Sequence, residues 1–304
     1  MPQPEVTEWR ISAGGQIDDD SHGAVDLGVR RGAFSAELLT ETLELRWAPN
    51  LARGRVWTLL RGESPAAGLV ISPWTDGAPD PGRALLGSTF RVEGGAILYG
   101  PKGLYGGVSL SGTHWAFDPK SSETIVEIPA DRPVGATDFV GGWWSPSTQG
   151  WVIVGVNAQP ETISPHVSVT ASVDPEWPVA PLVSLHAGVA EHTDIVTATR
   201  LGGLVPYTVP VAGAAWAEWW VEDYAAIRAG PQVHAGSFGV GTVADIAWFD
   251  GEWAEGFAAI TTWRKDGWTA EVHVGVAPWI PRQEGFGRDS VFVRVGRDWR
   301  VLKN

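Results

Sequence analysis

Oppositely charged residues recur two positions apart in this sequence, the spacing at which side chains of a β-strand share one face. Glu44 with Arg46 is one such pair, and Glu271 with His273 is another. Around a water-filled pore such charges create a field that selects among charged solutes. On the outer face of a sheet they form cross-strand ion pairs instead. The predicted pore-lining residues are Glu44, Arg46, Arg55, Glu271 and His273.

Two acidic clusters are weaker candidates. Asp18, Asp19 and Asp20 are consecutive, and adjacent carboxylates can hold Ca²⁺. A calcium loop alternates its acids and includes a glycine, so a solvated turn explains this run better. Asp76 and Asp80 lie in the Pro/Gly-rich stretch 73–82. They fit a loop that folds into the mouth of a barrel, although their role as turn formers also explains them.

Signatures of catalysis are weak throughout the chain. The seven histidines do not cluster at metal-ligand spacing. A lipid-directed enzyme needs a Ser and a His within hydrogen-bond reach, and Ser109 and Ser111 lie outside any nucleophile-elbow motif. A glycosidase needs two carboxylates roughly 5–10 Å apart, and no feature selects a pair. The sequence predicts no catalytic residue, no metal site and no cofactor.

Composition narrows the class of partner. The formal net charge is −13, which opposes a broad nucleic-acid-binding surface. The absence of cysteine excludes a disulfide scaffold, a thiolate metal site and a cysteine nucleophile. There are 18 Trp but only 4 Tyr and 9 Phe. Tryptophan concentrates at sugar-binding surfaces, in large cores and at membrane interfaces.

Alternation with a period of two places most of the chain on strands. Val152, Val154 and Val156 are one example, and roughly sixteen to twenty such segments recur between turn signals such as FDGEW and RKDG. Residues 214–229 fit helical and strand spacing equally well. Because there is no linker and no shift in composition, residues 1–304 are expected to form one β domain, with a poorly ordered segment expected at 1–22.

Strand length and tryptophan placement favour a membrane barrel. Segments on either side of the RKDG turn run about ten residues, the length of a tilted spanning strand. Trp268 and Trp279 bound one segment of roughly 36 Å, which projects to about 28 Å at a tilt of about 40°. Their parity is opposite, so both face lipid only if a bulge lies near Pro278. The predicted membrane-interface aromatic residues are Trp143, Trp144, Trp151, Trp263, Trp268 and Trp279.

A soluble all-β sandwich or propeller is the alternative. A large soluble β domain also places Trp in its core and at its turns. The C-terminal stretch VFVRVGRDWRVLKN does not end in the aromatic residue common in outer-membrane barrels. Such a soluble protein would bind or cleave carbohydrate with its exposed tryptophans.

With this pattern assembled, the chain resembles predicted outer-membrane β-barrel proteins of Gram-negative bacteria. The resemblance rests on the DLGVRRGAFSAELLTETLELRW hairpin, the SPWTDGAPDPGRALLG loop and the meander at 239–277. It implies a single antiparallel up-and-down barrel with an even number of strands, about 12–16, and with short turns at one rim and longer loops at the other. It implies no catalytic residue.

Location and function follow from the choice of fold. The opening MPQPEVTEWRIS lacks the basic end and apolar core of a secretory signal. The protein is then either cytoplasmic or a mature form whose leader has been removed. The barrel interpretation takes the second account. It predicts an outer-membrane passive channel or porin, or a surface structural protein, whose partners are the lipid bilayer and small solutes or ions.

Overall fold

Most of the chain is covered by strands of one sheet. The computed structural model describes residues 6–17, 21–39, 42–63, 74–75, 78–79, 87–117, 130–145, 147–173, 177–193, 197–201, 209, 211–214, 219–279 and 288–302. Among these residues the helical element is a single 3₁₀ turn, Pro101–Gly103. No helix in these ranges is long and apolar enough to cross a membrane.

Sixteen antiparallel strands form a closed up-and-down barrel. They are β1 (Val6–Ile17), β2 (Ser21–Arg31), β3 (Phe34–Leu39), β4 (Thr42–Trp47), β5 (Gly54–Glu63), β6 (Gly87–Tyr99), β7 (Leu104–Phe117), β8 (Arg132–Trp144), β9 (Thr148–Ala158), β10 (Ile163–Val173), β11 (Val179–Ala190), β12 (Tyr224–Ala235), β13 (Phe238–Phe249), β14 (Glu252–Lys265), β15 (Trp268–Trp279) and β16 (Arg288–Leu302). Each strand pairs with its neighbours in the chain, and β1 pairs with β16 over its whole length.

Closure settles the fold class that the alternation predicted. The sheet turns back on itself, so the alternative of a soluble sandwich or propeller is wrong. Sixteen strands lie at the upper end of the expected range of 12–16. Strand β1 occupies Val6–Ile17, within the segment expected to be poorly ordered. The stretch 214–229, which fits helical and strand spacing equally well, contributes the short strand Trp219–Val221 and the start of β12. Its described part is therefore extended rather than helical.

The alternation has a simple physical cause. Successive side chains of a strand point to opposite faces, and the apolar face is turned outward. On β4, Leu43, Leu45 and Trp47 are exposed at the barrel surface, while Glu44 and Arg46 lie on the opposite, inner face. Apolar residues also face outward on β13, where Val240, Ile246 and Trp248 are exposed.

The two rims of the barrel differ. The rim at which β1 begins and β16 ends is called here the turn end. Short connections such as 236–237 and 266–267 join the strands there. The opposite rim, the loop end, carries the long connections 64–86, 118–131 and 191–223. The Asp250–Gly251 and Asp266–Gly267 turns have positive φ at both residues, the geometry of the two-residue hairpin that Asp-Gly favours. These are the FDGEW and RKDG turns predicted from the sequence.

Additional short strands accompany the sixteen. Asn50–Leu51 pairs with β5 within the barrel sheet, and Trp74–Thr75 pairs with Ala78–Pro79 in a separate two-stranded sheet. Within the long 191–223 connection, Thr199–Leu201 pairs with Trp219–Val221. Leu201 and Val221 are almost fully buried, so this connection contributes to the protein interior.

Candidate functional site

The inner wall of the first six strands is charged. Glu37, Glu44, Arg61 and Arg91 stand directly opposite one another on β3, β4, β5 and β6. Carboxylates also pair with arginines two positions away, as in Glu44–Arg46 at 3.2 Å and Arg91–Glu93 at 2.7 Å. The result is a ladder of both charge signs along one side of the lumen.

The charged wall continues across the seam where β1 meets β16. Arg10 lies 3.5 Å from Asp298 of β16, 3.9 Å from Asp26 of β2 and 3.8 Å from Glu37 of β3. On the outside of the same seam, the rings of Trp9 and Trp299 stack with centroids 6.4 Å apart. The seam is therefore held on both faces as well as by its backbone ladder.

The opposite side of the lumen, on β12 to β15, is largely apolar toward the loop end. Many of its inward positions there are small or aliphatic residues that are almost fully buried, namely Ala226, Val243, Ala247, Ala254, Ala258, Ile260 and Ala277. Arg228 and Asp245 pair with each other among them. Contact between such an apolar surface and water is unfavourable, and here another part of the chain covers the surface. The cover comes from described residues of the 191–223 connection, which starts and ends at the loop end.

The innermost part of that connection is residues 211–214, called here the inserted segment. Val211, Ala212 and Ala214 are fully buried. The segment turns through Gly213 at φ +79, a conformation that glycine adopts at little cost. Val211 and Ala214 pack in one cluster with Ala247 and Phe249 of β13.

Two hydrogen bonds fasten the inserted segment to the wall. The Ala212 N–H donates to Asp245 Oδ2 at 2.8 Å, and the Gly213 N–H donates to Ser290 Oγ at 3.1 Å. Asp245 also accepts two bonds from the Arg228 guanidinium, both at 2.7 Å. Such a fork of charge-assisted bonds fixes the carboxylate in position. Asp245 is 1% exposed, so it is the buried anchor of the segment.

Glycines on the wall make room for this contact. An added Cβ at Gly256 of β14 would lie 2.2 Å from the Ala212 carbonyl oxygen. At Gly275 of β15 it would lie 2.9 Å from the Gly213 nitrogen and 3.2 Å from Ala212 Cβ. The inserted segment and the wall are thus in direct backbone contact.

Of the five predicted pore-lining residues, all lie on inward positions of their strands. Glu44 and Arg46 belong to the charged ladder. Glu271 and His273 contact each other on β15, and His273 packs edge-on against Phe292. Phe292 lies in the apolar cluster with Ala212. His273 therefore lies beside the inserted segment. It is buried there, whereas the Glu44 side chain is partly exposed to the lumen.

The serine and histidine candidates do not come together as a nucleophile and its base. Ser109 stands opposite Asp138 on the neighbouring strand. His166 bonds Asp138 Oδ1 at 3.0 Å through Nε2 and Asn157 at 3.4 Å through Nδ1, so both ring nitrogens already have partners. Within the described ranges, no three His, Asp or Glu residues are placed to share a metal ion.

The six predicted interface tryptophans divide between the faces. Trp143, Trp263, Trp268 and Trp279 have outward positions. Trp144 and Trp151 face the lumen instead, because they alternate with the outward Trp143 and Val152. The acidic candidates Asp18–Asp20, Asp76 and Asp80 lie outside the described residues.

A register shift explains the outward placement of Trp279. Phe257 pairs with Val276, but Glu255 pairs with Trp279. Strand β15 thus carries one extra residue near Pro278, which changes the parity of the positions that follow. The Trp279 ring then stacks on Trp253 with centroids 5.7 Å apart. Trp268 and Trp279 thereby lie near opposite rims on the same outer surface.

Comparison with known proteins gives matches in fold only. No family model matches the chain, and no curated protein matches its sequence. Among solved structures, CdiB from Acinetobacter baumannii matches with a TM-score of 0.66 and 8% identity over 96% of this chain. BamA from Haemophilus ducreyi lacking POTRA domains 1–3 matches with 0.67 and 8% over 95%, and CdiB from Escherichia coli with 0.63 and 13% over 98%.

The chain has the fold of an outer-membrane β-barrel protein. The barrel resemblance drawn from the sequence is therefore confirmed at the level of fold. The chain spans 60% and 64% of the two CdiB chains and 70% of the BamA chain.

Sequence reasoning missed the inserted segment and its anchor. A signal was present in β13, where Gly239, Gly241, Val243 and Ala247 lie on the inner face beside Asp245. Apart from Asp245, both faces of that strand are apolar, unlike β4. In a barrel with lipid outside, a second apolar face indicates that protein covers it within the lumen.

Proposed function

We propose that this protein is an outer-membrane transport barrel whose conduit is closed at rest by the inserted segment. One observation carries the proposal: residues 211–214 lie inside the barrel, bonded to Asp245 and Ser290. A passive porin needs an unobstructed polar lumen. Here the inserted segment occupies the lumen against the wall of β12 to β15, which favours a gated conduit over a permanently open one.

The charged ladder supplies the selectivity of the proposed conduit. When the inserted segment withdraws, solutes pass along the wall that carries Glu44, Arg46 and Arg61. Charges fixed in a confined aqueous path act on ions more strongly than the same charges on an open surface. Because both signs are present, the field runs across the lumen, and the conduit orients charged solutes as they pass.

The outer surface supports the membrane location. Aromatic rings lie at both rims, with Trp9, Trp299 and Trp268 near the turn end and Trp253 and Trp279 near the loop end. Apolar residues cover the outer face between them. This is the girdle arrangement of a bilayer-spanning barrel. A surface structural protein would share it, so conduction is the property that separates the two functions.

Planar-bilayer conductance of the refolded protein tests the proposal. We compare the wild type with Asp245→Ala and Ser290→Ala, each of which removes one acceptor from the inserted segment. Asp138→Ala is the matched control, since Asp138 is a lumenal carboxylate that pairs with His166. The expected result is rare opening in the wild type and the control, and frequent opening in the two variants, more so in Asp245→Ala.

Other outcomes contradict the proposal in different ways. A wild type that conducts steadily, with no change in Asp245→Ala, identifies a passive pore. Silence in every variant, with the proteins folded and inserted as judged by heat-dependent gel migration, identifies a structural barrel without a conduit.

A further inference from the structure

A recess opens on the inner wall at the turn end, on strands β6 to β9. It has a volume of about 680 Å³ and lies across the barrel from the inserted segment. Its principal lining residues are Ile97, Tyr99, Tyr105, Val140, Trp144 and Trp151. Small-molecule sites occupy roughly 300–1,000 Å³ and are lined mainly by apolar and aromatic side chains. The recess has that size and chemistry.

Glycines on these strands shape the recess. The ring of Tyr105 lies against Gly142, where an added Cβ would come within 2.7 Å of the tyrosine oxygen. The side chain of Ile97 lies against Gly107 in the same way, at 2.9 Å. Each large side chain is therefore fixed flat on the neighbouring strand, and the recess is preformed.

Apolar rings in the recess face the lumen, and the described residues do not cover them. Trp144 is 59% exposed and Tyr99 is 52% exposed. On the apolar wall of β12 to β15, by contrast, the inserted segment covers the surface. Exposed aromatic surface inside an aqueous lumen favours a ligand with an apolar body, since covering it releases water.

Arg55 adds a positive charge beside this surface. It stands directly opposite Ile97 on an inward position of β5. Its Nε atom is buried and has no hydrogen-bond partner in the described part of the chain. Nearby lumenal arginines Arg46 and Arg91 each pair with a carboxylate. Among the described residues the arginine charge is thus without a counter-ion in a confined place beside the recess, so an anionic group bound in the recess would be favoured by charge-assisted pairing with the guanidinium.

We propose that the recess binds an amphipathic organic anion. Its apolar or aromatic body lies against Tyr105, Trp144 and Trp151, and its carboxylate or sulfonate group pairs with Arg55. An uncharged molecule of the same shape gains the ring contacts but leaves Arg55 without a counter-ion. The charged group of the ligand is therefore the source of specificity. The aromatic rings of the recess supply affinity for the apolar part of the ligand, whether it is flat or chain-like.

Calorimetric titration in lipid nanodiscs tests this assignment, with the heat of empty nanodiscs subtracted. The probes are 2-naphthoate and its neutral analogue 2-naphthalenemethanol. We expect naphthoate to bind the wild type about tenfold more tightly, the ratio that one charge-assisted hydrogen bond supports. Arg55→Gln should remove this preference and leave the affinity for the alcohol unchanged. Arg300→Gln, which removes an arginine that pairs with Glu8 at the same rim on the β1–β16 side, is the matched control and should change neither affinity.

Filling the recess tests its location. Val140→Trp and Ile153→Trp each place a large ring in it from a different strand, and either should abolish binding of both probes. Folding is checked by heat-dependent gel migration. The assignment is overturned if both probes bind the wild type equally, if neither binds, or if a folded filled variant binds as the wild type does. It is also overturned if Lys102→Gln, in the exposed 3₁₀ turn at the rim, removes the preference while Arg55→Gln does not.

Discussion

A methyl group at Gly256 should expel the inserted segment from the wall. In Gly256→Ala, the new Cβ would lie 2.2 Å from the Ala212 carbonyl oxygen, 2.9 Å from its nitrogen and 3.0 Å from its carbonyl carbon. All three contacts are with backbone, which has no rotamer to relieve them. Since β14 is held on both sides by its ladder, the inserted segment is the element that moves.

The size of the effect follows from the bonds that are lost. A retreat of about 1 Å, enough to restore an ordinary van der Waals contact, lengthens both anchoring bonds from 2.8 and 3.1 Å beyond bonding distance. A bond to a charged acceptor contributes about 1.5–3 kcal/mol and a neutral one about 0.5–1.5 kcal/mol. The total of about 2–4.5 kcal/mol corresponds to roughly a 30- to 2,000-fold rise in the ratio of open to closed barrels.

Single-channel recording at fixed voltage measures that ratio directly. Gly112→Ala is the matched control, because an added Cβ there meets nothing within 4 Å. A second readout is the labelling of Ala212→Cys by a membrane-impermeant maleimide, which should become faster when Gly256→Ala is added. If Gly256→Ala opens no more often than Gly112→Ala, and the labelling rate is also unchanged, the inserted segment is not what closes the conduit.

Three further expectations concern the gate, the wall and the rim. Ala212 Cβ lies 3.2 Å from the position that a Cβ of Gly275 would take, near the roughly 3.5–4.5 Å between the Cβ atoms of a disulfide. Because the chain has no other cysteine, the double variant Ala212→Cys/Gly275→Cys can form only this disulfide within one molecule. The oxidised variant should stay closed, and a reductant should restore its opening. With the gate released, Arg46→Glu should shift the reversal potential in a salt gradient toward cation selectivity, and no shift would remove that residue from the conduit. Trp253→Ala should lower the free energy of unfolding in liposomes by about 1–3 kcal/mol, whereas Trp177→Ala, in an exposed turn, should change it little.

The strands and the outer surface could be predicted because they depend on local rules. Alternation fixes which side chains share a face, and Asp-Gly fixes the turns at 250–251 and 266–267. The bulge near Pro278 meets the condition under which Trp268 and Trp279 share the outer face. These features depend on residues that are neighbours in the sequence.

The inserted segment and the recess could not be predicted because they depend on distant pairings. Ser290 lies 77 positions from Gly213 in the chain, and Asp245 lies 33 positions from Ala212. The second apolar face of β13 indicates that a cover exists, but sequence spacing does not identify which residues supply it. Trp144 and Trp151 were placed at the lipid interface because they adjoin a turn. A shift of one position reverses the face, and proximity to a turn does not determine parity.

The junction between β1 and β16 has a consequence for biogenesis. The two strands that meet there are far apart in the sequence, with Val6 paired to Leu302 and Ile17 paired to Val291. Until β1 and β16 pair, the curved sheet has two edge strands whose backbone N–H and C=O groups lack hydrogen-bond partners. Such unpaired groups are strongly unfavourable in the hydrocarbon of a bilayer. We therefore expect the pairing of β1 with β16 to form cooperatively when the barrel assembles in a bilayer. Shortening β16 by a few residues should cause loss of the whole protein rather than a leaky version of it.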